Sequence, residues 1–141
     1  MEFRLLQVDD YNRGFLQLLE QLTVVDADNI SFEEFKNHYD KIQSIIYVIH
    51  DTKMDLIVGT GSLFIEYKYI HKLGSVGHIE DIIIDVNYRN KGFGKKIINI
   101  LIDLAKKKSC YKVILDCDIN NATYYEHIGF LNKGNYMALY Y

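Results

Sequence analysis

The sequence predicts an α/β fold in which a mixed, mostly antiparallel sheet is flanked by helices. Three observations predict it. Two β-rich runs, 45–51 and 56–69, are joined by the polar stretch Thr52-Lys53-Met54-Asp55, the pattern of a hairpin. The run 78–86 has a nearly continuous apolar centre, as expected of a strand covered on both faces. That run passes through a glycine-bearing loop, 88–94, into an amphipathic stretch with helical spacing, 95–108. A purely parallel, doubly wound sheet fits less well, because a central hairpin makes antiparallel neighbours.

The elements follow in order. Residues 3–8 read as a first strand. Asp9 or Asp10 can cap a helix whose apolar residues Tyr11, Phe15, Leu18, Leu19 and Leu22 keep a 3.6 period. Ser31-Phe32-Glu33-Glu34 is a capping box opening a second helix, with Phe35 and Tyr39 on one face. After the hairpin, the 78–86 strand and the 95–108 helix, Lys106, Lys107 and Lys108 sit where a helix dipole favours cations. Residues 112–117 read as a strand, 121–128 as a short helix and 130–140 as the last strands.

Length and composition narrow the class. A chain of 141 residues is one domain's worth, 1–141, and 49% hydrophobic residues suffice for a packed core. A net charge of -3 argues against a nucleic-acid partner, which usually selects a basic domain. Met1-Glu2-Phe3-Arg4 lacks the apolar core of a secretory signal, and no apolar run is long enough for a membrane span. Cys110 and Cys117, without a CxxC spacing, suggest neither a disulfide framework nor a zinc site. The chain reads as cytoplasmic and metal-free.

The most informative stretch is Ile82-Ile83-Ile84-Asp85-Val86-Asn87-Tyr88-Arg89-Asn90-Lys91-Gly92-Phe93-Gly94-Lys95. A helix start offers free backbone N–H groups and the positive end of its dipole to an anion. Glycines let a phosphate oxygen approach the backbone, and Arg89, Lys91 and Lys95 add charge in the same place. A Walker A loop fails, because Lys96 stands where a hydroxyl residue is required. A dinucleotide fingerprint fails at Ile97, where a small residue is needed, although Asp116 lies about the right distance downstream. A plain strand-to-helix turn would need no cluster of basic residues.

Other candidates are single side chains. Glu80, Asp81 and Asp116 occupy strand positions, where surface charge is the ordinary explanation; Asp116, within Ile114-Leu115-Asp116-Cys117, has little structural reason to be there. Lys68 and Lys112 read equally well as a solvated strand edge. His78-Ile79-Glu80 matches the H-x-E of zinc deaminases, but that motif needs a downstream P-C-x-x-C and the chain has no proline.

The remaining glycine-loop pattern, Arg-x-x-Gly-x-Gly between an apolar strand and a helix, resembles the acetyl-CoA loop of the GCN5-related N-acetyltransferase (GNAT) superfamily. Three further blocks resemble the glucosamine-6-phosphate N-acetyltransferases within it: Gly77-His78-Ile79-Glu80-Asp81-Ile82, Cys110-Tyr111-Lys112-Val113-Ile114-Leu115-Asp116-Cys117, and Asn121-Ala122-Thr123-Tyr124-Tyr125-Glu126-His127-Ile128-Gly129-Phe130. They keep that family's order and spacing from about residue 68 to 130; earlier residues match mainly around Leu22-Thr23 and 31–35. The resemblance implies the acetyl-CoA N-acyltransferase fold, acetyl-CoA as co-substrate, and acetyl transfer to the amine of glucosamine 6-phosphate for UDP-N-acetylglucosamine synthesis. It implies that the backbone of Ile82, Ile83 and Ile84 meets pantetheine and thioester carbonyl. The loop Arg89, Asn90, Lys91, Gly92, Phe93, Gly94 and Lys95 would hold the pyrophosphate.

By the same resemblance Asn121 meets the pantetheine arm, unless it only caps the helix beginning there. Tyr125 protonates the departing thiolate, and Asp116 orients the attacking amine. Glu80 and Asp81 bind sugar hydroxyls or amine; Lys68, His71, Tyr111 and Lys112 meet the sugar phosphate; and Thr23 contacts substrate. A homodimer with sites near the subunit boundary is also implied. The last residues, Met137-Ala138-Leu139-Tyr140-Tyr141, carry no basic side chain, a departure from the family pattern at the phosphate site. Two other readings stand beside this one. One is an acetyltransferase for a polyamine or protein N-terminus; the other is a non-catalytic CoA-binding module, which would need neither the tyrosine nor the strand acids.

Overall fold

The computed structural model describes all 141 residues. Its five-stranded sheet runs in chain order: β1 (Glu2–Leu5), β2 (Ile45–Asp51), β3 (Leu56–Tyr67), β4 (Ser75–Ile84) and β5 (Cys110–Ile114). The first four strands are antiparallel, and β5 joins β4 in parallel. That change of direction follows from the connection, because only a crossover can return the chain parallel to β4. The crossover holds α3 (Phe93–Lys107), which packs on β3, β4 and β5. The short α1 (Phe15–Leu19) lies over β3 and β4, and α2 (Phe32–Tyr39) adds Phe35 to the same layer. A last helix, α4 (Ala122–Glu126), follows β5.

Strand alternation feeds two cores. Val48 and Ile57 join Leu6, Phe15, Leu16, Leu18 and Phe35 on the α1–α2 side. Their neighbours Ile49 and Val58 join Leu63, Ile97, Ile98 and Leu101 on the α3 side. On β4 the alternation changes phase, since Ile79 belongs to the α3 core and Ile83 to the other. A uniform strand would put both on one face. The cause is a bulge: Thr60 pairs with Ile83 but Ser62 with Glu80, so Asp81 and Ile82 together oppose Gly61. Asp81 takes φ +52°, and a Cβ on Gly61 would collide with the Ile82 Cδ1, so a side chain there requires Ile82 to shift.

Several boundaries differ from the sequence expectation. The first strand ends at Leu5 rather than residue 8, and Val8–Arg13 forms 3₁₀ turns. The single helix expected through Leu22 breaks at Gly14, whose φ of +74° interrupts it. Asp10 takes part in capping the 3₁₀ turns as their third residue, and it is also buried. Its carboxylate accepts two bonds from Arg4, at 2.7 and 2.8 Å, one from Arg13 and one from the Gln7 amide. The capping box at Ser31 forms as expected, the Ser31 amide donating to Glu34 at 2.8 Å.

The 78–86 strand is Ser75–Ile84, and the helix expected from residue 95 starts two residues earlier, after Gly92. β5 stops at Ile114, so Asp116 stands beyond the strand and is exposed, contrary to the expectation that it interrupts an apolar strand. No strand forms over 130–140. Leu131, Met137, Leu139 and Tyr140 stand more than three quarters exposed, and β propensity alone, without packing against a neighbouring strand, makes no ladder. No helix is long and apolar enough to cross a membrane.

Candidate active site

β4 and β5 diverge. Their last paired residues are His78 and Ile114, yet β4 continues to Ile84. Beyond that point the backbone of Ile82, Ile83 and Ile84 has β3 on one side and no strand on the other. Ile83 points into the α1–α2 core, while Ile82 and Ile84 pack partly buried on the α3 side. This splayed edge leads directly into the glycine loop.

In that loop the Arg89 guanidinium Nε donates to the Ile84 carbonyl at 3.0 Å, folding the loop back on the strand end. Lys91 Nζ donates to the Asn87 carbonyl and lies 4.9 Å from the Tyr88 ring centroid. Asn90 and Gly92 both have positive φ, +60° and +77°, and Gly92 caps α3 with its Cα facing open space. Gly94 differs: a Cβ there would lie 2.8 Å from the Tyr124 hydroxyl oxygen. Phe93 packs into the α3 core, and Lys95 joins the first turn, where free amides and the helix dipole meet. An anionic diphosphate fits this cradle, since the loop leaves space beside Gly92 and brings three cations to it.

On the other side lies a cavity of about 1270 Å³, lined by His78, Glu80, Tyr111, Lys112, Asp116 and Tyr125 among others. It includes none of the glycine loop. Partial loss of water raises the Glu80 carboxyl above the ordinary range, and the charges of Asp116 and Asp81 push the same way. Asp116 and Asp81 therefore both lie near enough to act on Glu80. Tyr125, half-buried on α4, packs edge-on against Phe130 at 6.0 Å and Tyr124 at 5.3 Å. Burial first, then Cys117, Tyr124 and Asp116, raise its phenol above 10. It consequently stays protonated at neutral pH, the state a proton donor needs.

The expected phosphate contacts divide into two groups. His71 stacks on Tyr111 with centroids 4.1 Å apart, and Lys112 Nζ lies 5.8 Å from the same ring. His71 is held there by the turn Ile70–Leu73, in which His71, Lys72 and Leu73 all have positive φ. Lys68 instead pairs with Glu66, whose other oxygen lies 2.8 Å from His78 Nε2. Its charge is thus already answered by a carboxylate. Asn121 occupies the position before α4 but makes no capping bond, leaving its side-chain amide free. Thr23 is exposed on the 20–26 segment after α1, which surrounds a separate hollow of about 420 Å³.

Sequence reasoning missed three residues with roles around the site. Gly61 makes room for the bulge, and a glycine inside a strand pattern was the available signal. Tyr88 donates to Asp51 at 2.8 Å, tying the glycine loop to the β2–β3 hairpin. Gln21 bridges to the end of β4. The two bridges join residues 37 and 64 positions apart, and no local pattern announces them.

A splayed β4–β5 edge running into a basic glycine loop defines an acyl-transferring class, and the chain belongs to the acetyltransferase (GNAT) family, whose pattern matches residues 8–130. It is 39% identical to a glucosamine 6-phosphate N-acetyltransferase of Arabidopsis thaliana, covering 99% of this chain and 96% of that one. Identity to glucosamine 6-phosphate N-acetyltransferase 1 of Dictyostelium discoideum is also 39%, over 99% of this chain and 90% of the relative. The crystal structure of the Arabidopsis thaliana protein superposes with a TM-score of 0.95, covering 99% of this chain and 97% of that one at 39% identity.

Proposed function

We propose that the protein transfers the acetyl group of acetyl-CoA to the amine of D-glucosamine 6-phosphate. The product, N-acetylglucosamine 6-phosphate, serves UDP-N-acetylglucosamine synthesis. The observation carrying this reading is one cleft lined by the acids Glu80 and Asp116, the half-buried phenol Tyr125, and Tyr111 with Lys112, with His71 stacked on the Tyr111 ring. The near full-length similarity to proteins of that name supports it.

Acetyl-CoA supplies an activated acyl group as a thioester. The 82–84 backbone and the amides of 92–95 bind it, with Arg89, Lys91 and Lys95 answering its phosphates and Asn121 meeting its pantetheine arm. Asp116 orients the acceptor amine and balances the positive charge it develops. As the new C–N bond forms and the C–S bond breaks, Tyr125 gives its proton to the departing sulfur, and the surplus amine proton leaves toward Asp116 and solvent. Glu80 and Asp81 bind the sugar's polar groups. His71, Tyr111 and Lys112 receive its phosphate, with Lys68 and Thr23 at the margin. No step calls on a metal.

We read residues 1–141 as one such domain, cytoplasmic and homodimeric. The open edge of β5 and the exposed apolar side chains of 131–141 support a second copy as neighbour, since large exposed apolar areas mark contact surfaces. A thiol-release assay with acetyl-CoA across glucosamine 6-phosphate, glucosamine, a polyamine and a peptide amine tests the reading. The sugar phosphate should exceed glucosamine by at least about tenfold in kcat/KM, because a charge-assisted hydrogen bond is worth ~1.5–3 kcal/mol. Equal efficiency for the two sugars would sink the phosphate assignment.

A further inference from the structure

The segment carrying Thr23 is tied to the strand end that feeds the glycine loop, and one side chain makes the tie. Gln21 Nε2 donates to Asp85 Oδ2 at 2.7 Å, and Gln21 Oε1 accepts from the Val86 amide at 3.0 Å. Both groups of one amide are therefore used, in a two-point clamp that fixes orientation as well as distance. Asp85 stands directly after β4, and its other oxygen accepts from the Asn87 amide, capping the 3₁₀ turn Val86–Tyr88 that leads to Arg89. On the other side, Gln21 lies two residues before Thr23. The Glu20 carboxylate accepts from the Ala27 amide at 2.9 Å and closes the 20–27 segment into a loop. Val24 at its tip is 93% exposed, so packing contributes little to holding the tip in place.

We infer that Gln21 is a positioning residue that couples the two ligand sites: it transmits order from the acetyl-CoA loop to the Thr23 loop, so each ligand tightens the other. The inference rests on the assignment of these two loops to acetyl-CoA and to the sugar phosphate. Its physical basis is that a ligand held by 82–95 restrains Asp85 and Val86. The clamp then restrains the loop that packing leaves loose, and the second ligand meets a loop already ordered. Coupling of this kind is reciprocal, so it is measurable from either side.

The test is calorimetry of glucosamine 6-phosphate binding to the full chain, alone and saturated with CoA, whose free thiol cannot donate acetyl. In the wild type, CoA should tighten the sugar phosphate by at least about fivefold, the lower end of usual couplings. Gln21→Leu should reduce that factor below about twofold, while CoA alone binds within about threefold of wild type, because Gln21 bonds only to Asp85 and Val86 and lies outside the 89–95 loop. Gln21→Glu opposes two carboxylates and should also lose coupling. Adding Asp85→Asn to it restores a donor facing an acceptor while the Val86 bond remains, and should recover most of the factor. A residue needed only for folding would not be rescued by this exchange. Full coupling in Gln21→Leu, or none in the wild type, would overturn the inference alone. Failure of the wild type to bind the sugar phosphate at all would overturn the acceptor assignment, and this inference with it.

Discussion

On the side assigned to acetyl-CoA, one unbroken stretch, 82–95, supplies strand, loop and helix start. On the acceptor side the assigned groups come from residues 66–71, 78–81 and 111–116, placed by strand register and by one left-handed turn, while 20–26 surrounds a separate hollow. The first wall gets its chemistry from backbone amides and glycine dihedrals. The second gets it from side chains whose charges partly cancel, as Lys68 and Glu66 show. A continuous backbone site tolerates variation in side chains but not in backbone dihedrals, and a discontinuous side-chain site behaves in the opposite way. Substitutions on the two walls, and at the phenol between them, should therefore fail in different observables.

The largest effect is expected at the phenol. Tyr125→Phe should lower kcat by roughly 100-fold, the usual scale of a lost proton donor, with CoA affinity nearly unchanged. Single-turnover acetyl transfer measures the chemical step directly; wild-type turnover there would remove Tyr125 from the reaction. The pH dependence has a definite sign. Burial raises the phenol's pKa, so the donor stays protonated through the ordinary tyrosine range. Alkaline loss of kcat from this group should fall above pH ~10, beyond where a free tyrosine ionises.

The backbone wall comes next. Gly92→Val forces a branched residue into φ +77°, and a left-handed residue costs ~1–2 kcal/mol before any clash with phosphate. CoA binding by calorimetry should weaken by at least about tenfold, whereas the sugar phosphate alone binds as before. Gly94→Ala should be milder, because the new methyl meets only the Tyr124 hydroxyl, the far end of a side chain that can swing aside. Equal losses at 92 and 94 would show that bulk, not dihedral freedom, controls the loop.

The side-chain wall should show the smallest effects, and unequal ones. Lys112→Ala should raise KM for the sugar phosphate roughly tenfold through loss of one charge-assisted contact. Lys68→Ala should change it by less than about threefold, since Glu66 already answers that charge. Steady-state KM values with the phosphorylated and plain sugars decide the point; a larger loss at 68 than at 112 would reverse the ranking of the two lysines.

By itself the sequence determined the hairpin, the capped α2, the apolar β4 and the glycine-led α3. Each is local: periodicity, caps and turns act within a few residues. It also marked the loop 89–94 as the candidate anion site, because a phosphate cradle is made from consecutive backbone groups. The break at Gly14 and the absence of strands over 130–140 were not legible, since both depend on what the chain packs against. Asp10 shows the same limit: its spacing suggests a cap, and its carboxylate does accept from the Gln7 amide, but only the fold also buries it against Arg4 and Arg13. Only the tertiary structure decided that Asp81 bulges opposite Gly61, that β4 and β5 part after His78 and Ile114, and that Lys68 is already paired. It alone decided that Gln21 reaches Asp85. These features are fixed by register between segments far apart in the chain, where no short-range pattern carries the information.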